Sequence, residues 1–153
     1  MLTLRRRSSR DDVAVPSSGD GPVVLATLDV PFAEEAITFA VDAAVESGKL
    51  LVLVNAAEVP PTPSTFAGWG YVERNDLQSE LRKPAELARS LAVAVERLRV
   101  VSPHPVDALL ELVAERRPGV LVFGPDRRRL SRRRYRKAAD AVRERASCLV
   151  WLA

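Results

Sequence analysis

Between Phe123 and Asp140 the chain reads FGPDRRRLSRRRYRKAAD, and eight of the eleven side chains from Arg127 to Lys137 are cationic. Guanidinium groups grip phosphate or carboxylate through paired N–H donors. A glycine directly after an apolar strand is also where backbone amides can converge on a phosphate, because no Cβ obstructs the turn. Three readings of the segment stay open. It is a nucleotide phosphate turn using Gly124 and Arg127 with Asp29 from an earlier strand end. Alternatively, Arg127, Arg128, Arg129, Arg132, Arg133, Arg134, Arg136 and Lys137 form a surface for an acidic protein or a nucleic acid, with Tyr135 the one aromatic interleaved for stacking. Third, these side chains simply fan into water at the start of a helix. Lysine occurs only at positions 49, 83 and 137, so the basic residues are nearly all arginine, a bias that GC-rich coding produces without any binding function.

Few other residues offer chemistry. His104 is the single histidine and lies in the proline-locked stretch SPHPVD, which suits a capping or surface residue. No G-x-S-x-G elbow is present and no residues have metal-ligand spacing, so neither a serine hydrolase nor a metal site is expected. Asp29 alone supplies no chemical step; it either contacts a ligand or caps the helix that follows. We therefore expect a protein without catalytic residues. Cys148 is the single cysteine, which excludes an internal disulfide and suits a reducing, cytoplasmic setting; it reads as a small buried side chain.

The elements that would position these residues follow from hydrophobic patterning. VVLATLDV (23–30), KLLVLVNA (49–56), VLVFG (120–124) and CLVWLA (148–153) are short apolar runs of the kind buried on both faces of a parallel sheet. Helical periodicity marks 31–48, with Pro31 in the first turn and Gly48 as C-cap, then 84–98 starting at Pro84, 105–117, and 131–146 with Ser131 as N-cap. RVVS (99–102) reads as a short strand. Strands alternating with helices predict a doubly wound α/β domain, a five-stranded parallel sheet with helices on both faces. Ligands of such folds sit outside the carboxyl ends of the strands where the topology reverses, here near Asp29 and Gly124.

A chain of 153 residues with 47% apolar and 28% charged residues accommodates one domain with its own core. Residues 1–20 read as a flexible, arginine-bearing tail before a domain over 21–153, and no apolar run is long enough to cross a bilayer. The net charge of +3 is smaller than the contribution of the cationic segment, so the rest of the chain is net acidic. Between 58 and 76, prolines and glycines break regular structure around Phe66, Trp69 and Tyr71, an aromatic loop that folds back as a flap, closes over a ligand, or meets a partner.

Four stretches in order resemble the universal stress protein family: VVLATLDVPFAEEAITFAVDAA, GKLLVLVNAAEV, VLVFG and AVRERASCLVWL. The resemblance implies a Rossmann-like sheet of order 3-2-1-4-5, of the adenine nucleotide alpha hydrolase-like kind, in a protein that is often a homodimer. One subgroup binds ATP through G-x-x-G, nine residues, then G-[S/T]. Here Gly124 matches the first glycine, Arg127 replaces the second, and the late pair falls on Arg136-Lys137 or Lys137-Ala138; Asp29 matches the aspartate that contacts the nucleoside. The resemblance thus implies a member with a degenerate ATP motif, for which no cofactor is expected. In the family's sheet order the last strand lies at an edge, so Leu149, Val150, Trp151 and Leu152 are the expected dimer contact.

Overall fold

The computed structural model describes residues 21–59 and 75–153. The tail 1–20 and the aromatic residues Phe66, Trp69 and Tyr71 lie outside the described residues. Every side chain of Val23–Thr27 (β1) is buried, as are the first seven of Leu51–Glu58 (β2) and all of Val120–Phe123 (β4). Burial on both faces explains why these runs are continuous rather than alternating. Val95–Ser102 (β3) and Leu149–Leu152 (β5) complete a parallel sheet of order β3-β2-β1-β4-β5, a Rossmann-like doubly wound α/β architecture.

Helices Glu34–Ser47 (α1) and Asn75–Ser90 (α2) cover one face; Pro105–Arg116 (α3) and Arg132–Arg145 (α4) cover the other. The first core layer is built from Val23, Leu25, Leu51 and Leu53 against Ala36, Ala40, Val41 and Ala85, the second from Val24, Val52, Val54 and Phe123 against Leu109, Val113, Tyr135 and Val142. Gly48 ends α1 with φ 71° and its N–H bonded to the Ala44 carbonyl, the left-handed cap that glycine accepts without a Cβ clash.

Three elements differ in their bounds from the sequence expectation. Helix α1 begins at Glu34 with Ala33 as N-cap, so Pro31 precedes it, and Phe32 bridges to Pro125 instead. The second helix spans 75–90 rather than 84–98 and carries Pro84 within it. Ala92, with φ 63°, reverses the chain after Ser90 so that Val95 starts β3 beside Leu51. Residues 95–98 therefore belong to a strand whose pairing with β2 outweighs the helical run of alanine and leucine before it.

Candidate functional site at the carboxyl ends of the strands

β1 lies between β2 and β4, the point at which the crossovers change direction, and its end is tied down by short-range bonds. Thr27 and Asn55, fully buried, stand side by side in register. The Thr27 hydroxyl donates to the Val30 carbonyl at 2.8 Å, and the Asp29 N–H donates to Asn55 Oδ1 at 2.7 Å. Asp29 is left-handed (φ 58°), a conformation aspartate tolerates better than most side chains, and it is exposed. It does not cap α1: that place is taken by Ala33, which makes no side-chain cap bond. The buried Asn55 Nδ2 has no hydrogen-bond partner among the described residues.

Four amides of the turn after β4 are bonded within the protein. Gly124 N–H donates to the Ala26 carbonyl (2.9 Å) and Asp126 N–H to the Pro31 carbonyl (2.8 Å). Arg128 N–H goes to Asp126 Oδ1 (3.1 Å) and Arg129 N–H to the Asp126 carbonyl (2.9 Å), forming a short 3-10 turn over Arg127–Arg129. Pro125 has no N–H to give. From the other side, Ala33 N–H donates to the Gly124 carbonyl at 2.9 Å, stitching the start of α1 to the turn. Gly124 is needed here for another reason: an added Cβ would overlap the Ala36 methyl, so the glycine lets α1 approach the sheet.

The eight cations divide by what they touch. Arg127 stacks on the Tyr135 ring with its guanidinium carbon 4.2 Å from the centroid, worth about 0.5–1 kcal/mol at an exposed site. Tyr135 is itself buried, and its hydroxyl donates to the Ala153 carbonyl at 2.8 Å, anchoring α4 beside the end of β5. Arg128 pairs with Asp126 through both Nε and Nη2 at 3.1 Å and holds that carboxyl below its usual range. Arg134 lies 3.8 Å from Glu58. Among the described residues no ion pair joins Arg129, Arg132, Arg133, Arg136 or Lys137, all exposed. Ser131 caps α4, its hydroxyl accepting from Arg134 N–H at 3.1 Å. Basic residues in that first turn oppose the helix dipole at about 0.3–1 kcal/mol each before screening. Neighbours one turn apart, such as Arg132 and Arg136, add about 0.2–0.5 kcal/mol of repulsion per pair.

A groove of about 350 Å³ runs between α3 and α4. Leu28, Val106, Ala138 and Ala141 make its apolar part, with Arg134, Lys137 and Arg145 on its rim. Arg145 donates to Asp107 at 2.7 Å and keeps that carboxyl below its ordinary range. His104 borders the groove as the N-cap residue of α3, exposed and without a side-chain cap bond. Cys148 is half-buried, and burial pushes its thiol pKa up. Among the described residues no cluster of His, Cys, Asp and Glu is arranged to hold a metal, and no helix is long and apolar enough to cross a membrane.

The model of the universal stress protein family matches residues 21–153. The chain belongs to the universal stress protein family. No curated protein matches it. Among solved structures, a universal stress protein in complex with cAMP is similar at 22% identity and TM-score 0.57, covering 87% of this chain and 96% of that one. A universal stress protein of Archaeoglobus fulgidus in complex with dAMP is similar at 18% identity and TM-score 0.58, covering 87% and 97%. A family protein of Arabidopsis thaliana with AMP bound is similar at 17% identity and TM-score 0.55, covering 86% and 90%. At these identities the likeness establishes the fold.

Within this universal stress protein, Asp29 and Gly124 come together at neighbouring strand ends, whereas Arg136, Lys137 and Ala138 do not reach the turn. Helix α4 is already under way at Arg132, so the positions of the late Gly-Ser pair fall inside it. The segment from Gly124 to the cap at Ser131 is thus shorter than the family pattern requires. Sequence reasoning missed Asn55 and Thr27, whose polar side chains inside the apolar run β2 and at the end of β1 were the available signal. It also missed that Tyr135 is covered and unavailable for stacking.

Proposed function

We propose that this universal stress protein is a non-catalytic, homodimeric, cytoplasmic regulatory protein that does not seat ATP on a main-chain cradle. The observation that carries the reading is the engagement of the amides of Gly124, Asp126, Arg128 and Arg129 within the protein, with Pro125 contributing none. A triphosphate would have to displace these bonds to be held by backbone donors, and each displaced buried group would lose its partner. The homodimer is supported by β5, an edge strand of purely apolar side chains with Leu149 49% exposed.

A second reading is favoured by the groove between α3 and α4. Its apolar floor and the cations Arg134 and Lys137 on its rim suit a compact anion such as a nucleoside monophosphate, held by side chains rather than amides. AMP and cAMP, the ligands of two of the similar proteins, are the natural probes. Calorimetric titration of the protein with ATP, ADP, AMP and cAMP, with and without magnesium, tests both readings. Silence toward ATP up to millimolar concentration is the expected result. Binding of AMP or cAMP that disappears in Arg134→Gln selects the groove, and micromolar ATP affinity overturns the leading reading.

A further inference from the structure

We propose that the exposed face made by Arg132, Arg133, Arg136 and Lys137 docks the phosphodiester backbone of a nucleic-acid duplex and does so without reading base sequence. Among the described residues no ion pair joins these four. The other four cations of the segment lie against the domain, Arg127 on Tyr135, Arg128 and Arg129 by Asp126, and Arg134 toward Glu58. The face runs along the first turns of α4, where Arg132, Arg133, Arg136 and Lys137 surround a shallow depression that Asp140 also borders. Asp140 lies 3.4 Å from Arg143, so the one acid at the border is shared with a further arginine. The like charges are crowded one helical turn apart, about 5.4 Å along the axis. A partner that neutralises them must carry anions at comparable density, and duplex nucleic acid presents one charge per about 1.7 Å of its axis.

Two further observations choose among polyanions. Protein partners are anchored by apolar or aromatic side chains filling pockets. The exposed large apolar side chains among the described residues are Val45, Leu87, Leu91 and Leu149, on α1, at the end of α2 and on β5, and none lies on this face. Among the described residues an acidic protein would find charge on this face but no apolar anchor. Single-stranded nucleic acid is held mainly by stacking on aromatic rings. Tyr135, the aromatic within the segment, is buried under Arg127 with its hydroxyl bonded to Ala153. What remains is a shallow, exposed cluster of three guanidinium forks and one ammonium, which matches phosphate oxygens and leaves the bases unread.

Fluorescence anisotropy of the full chain with a labelled mixed-sequence duplex of twenty base pairs, between 50 and 200 mM KCl, tests the assignment. Each neutralised phosphate contributes about −0.9 to the slope of log affinity against log salt. Contact with four phosphates therefore predicts a fall of roughly a hundredfold over that range. The triple variant Arg132→Gln, Arg133→Gln, Arg136→Gln is expected to flatten the slope by about 2.7, whereas the charge-matched Arg82→Gln, Arg89→Gln, Arg117→Gln leaves it largely in place. Relief of like-charge crowding should also leave the first triple variant with an equal or higher Tm, which separates lost binding from lost folding. The proposal is overturned if no duplex binds at 50 mM salt, or if the two triple variants weaken binding equally. Tighter binding of single strands or of polyglutamate than of the duplex, or a strong preference among duplex sequences, overturns it too.

Discussion

The two edges of the sheet are built on opposite plans. β3 is eight residues long and interrupts its apolar positions with Glu96, Arg97 and Arg99; β5 has four residues, Leu149, Val150, Trp151 and Leu152, and no charge at all. Glu96 is gripped from the α3 side by Arg116, whose Nη1 and Nη2 donate to its two carboxylate oxygens at 2.6 and 2.9 Å. An incoming strand at β3 would have to approach this charged row and desolvate it, while one arriving at β5 meets only apolar side chains. Natural sheets discourage pairing at an edge by the first arrangement and invite it by the second. The contrast supports β5 rather than β3 as the edge for the proposed self-association.

The comparison breaks most visibly at Trp151. Its ring stacks on Phe39 of α1 at 4.5 Å with an interplanar angle of 7°, so the same residue that belongs to the bare edge also clasps the strand to the α1 layer. Trp151→Ala is expected to lower stability by about 3 kcal/mol, the low end for removal of a large aromatic from a packed site, in urea denaturation. A loss below about 1 kcal/mol would mean that the stack contributes little and that Trp151 is held for the interface. Next in size is Leu149→Lys, which gives β5 the kind of charge β3 already carries. Leu149 is the most exposed residue of the strand, so the fold should tolerate the change while the proposed dimer weakens about a hundredfold, or roughly 2.8 kcal/mol. Sedimentation velocity of both proteins across a micromolar range measures this, and a wild type already monomeric there would remove the edge argument.

How far the sequence reaches is clear from these same regions. Apolar continuity located β1, β2, β4 and β5, because strands covered on both faces leave no room for polar alternation. The resemblance placed β5 at an edge, which periodicity alone does not do. β3 was only half legible: Val95 to Leu98 follows an alanine-rich run, and the turn at Ala92 depends on where α2 ends rather than on a glycine or proline signal. Pro84 misled in the same way, since its place within a helix is tolerated by tertiary context that propensity does not contain. At the crevice, Gly124 and Asp29 were identifiable by type, but their circumstances were not. That Gly124 makes room for Ala36, and that Pro31 and Ala33 are bonded to the turn after β4, are facts of packing between segments distant in sequence. The charge of the arginine segment was plain in the sequence, whereas its division into four cations held against the domain and four on the exposed face of α4 required the positions of Tyr135, Asp126 and Glu58.

The smallest expected effect sharpens the account of β3. The Arg116 hydrogen bonds hold the Glu96 carboxyl below its ordinary value of 4.5, partly opposed by desolvation, and the pair is about one-third exposed. Exposed pairs contribute little, so Glu96→Gln is expected to cost about 0.5–1 kcal/mol near neutral pH. The sign of the pH dependence follows from the lowered value. The folded protein binds this proton more weakly than the unfolded chain, so the contribution is complete above the unfolded pKa and is lost as pH falls through the folded one. Denaturation of wild type and Glu96→Gln should therefore differ at pH 7 and converge as pH drops well below 4.5. Because glutamine also removes a charge from the edge without adding bulk, the variant asks whether β3 is kept solitary by its ion pair. If Glu96→Gln stays monomeric when combined with Leu149→Lys, Arg97 and Arg99 suffice to guard β3; if that double variant associates again, the Glu96 carboxylate is the guard.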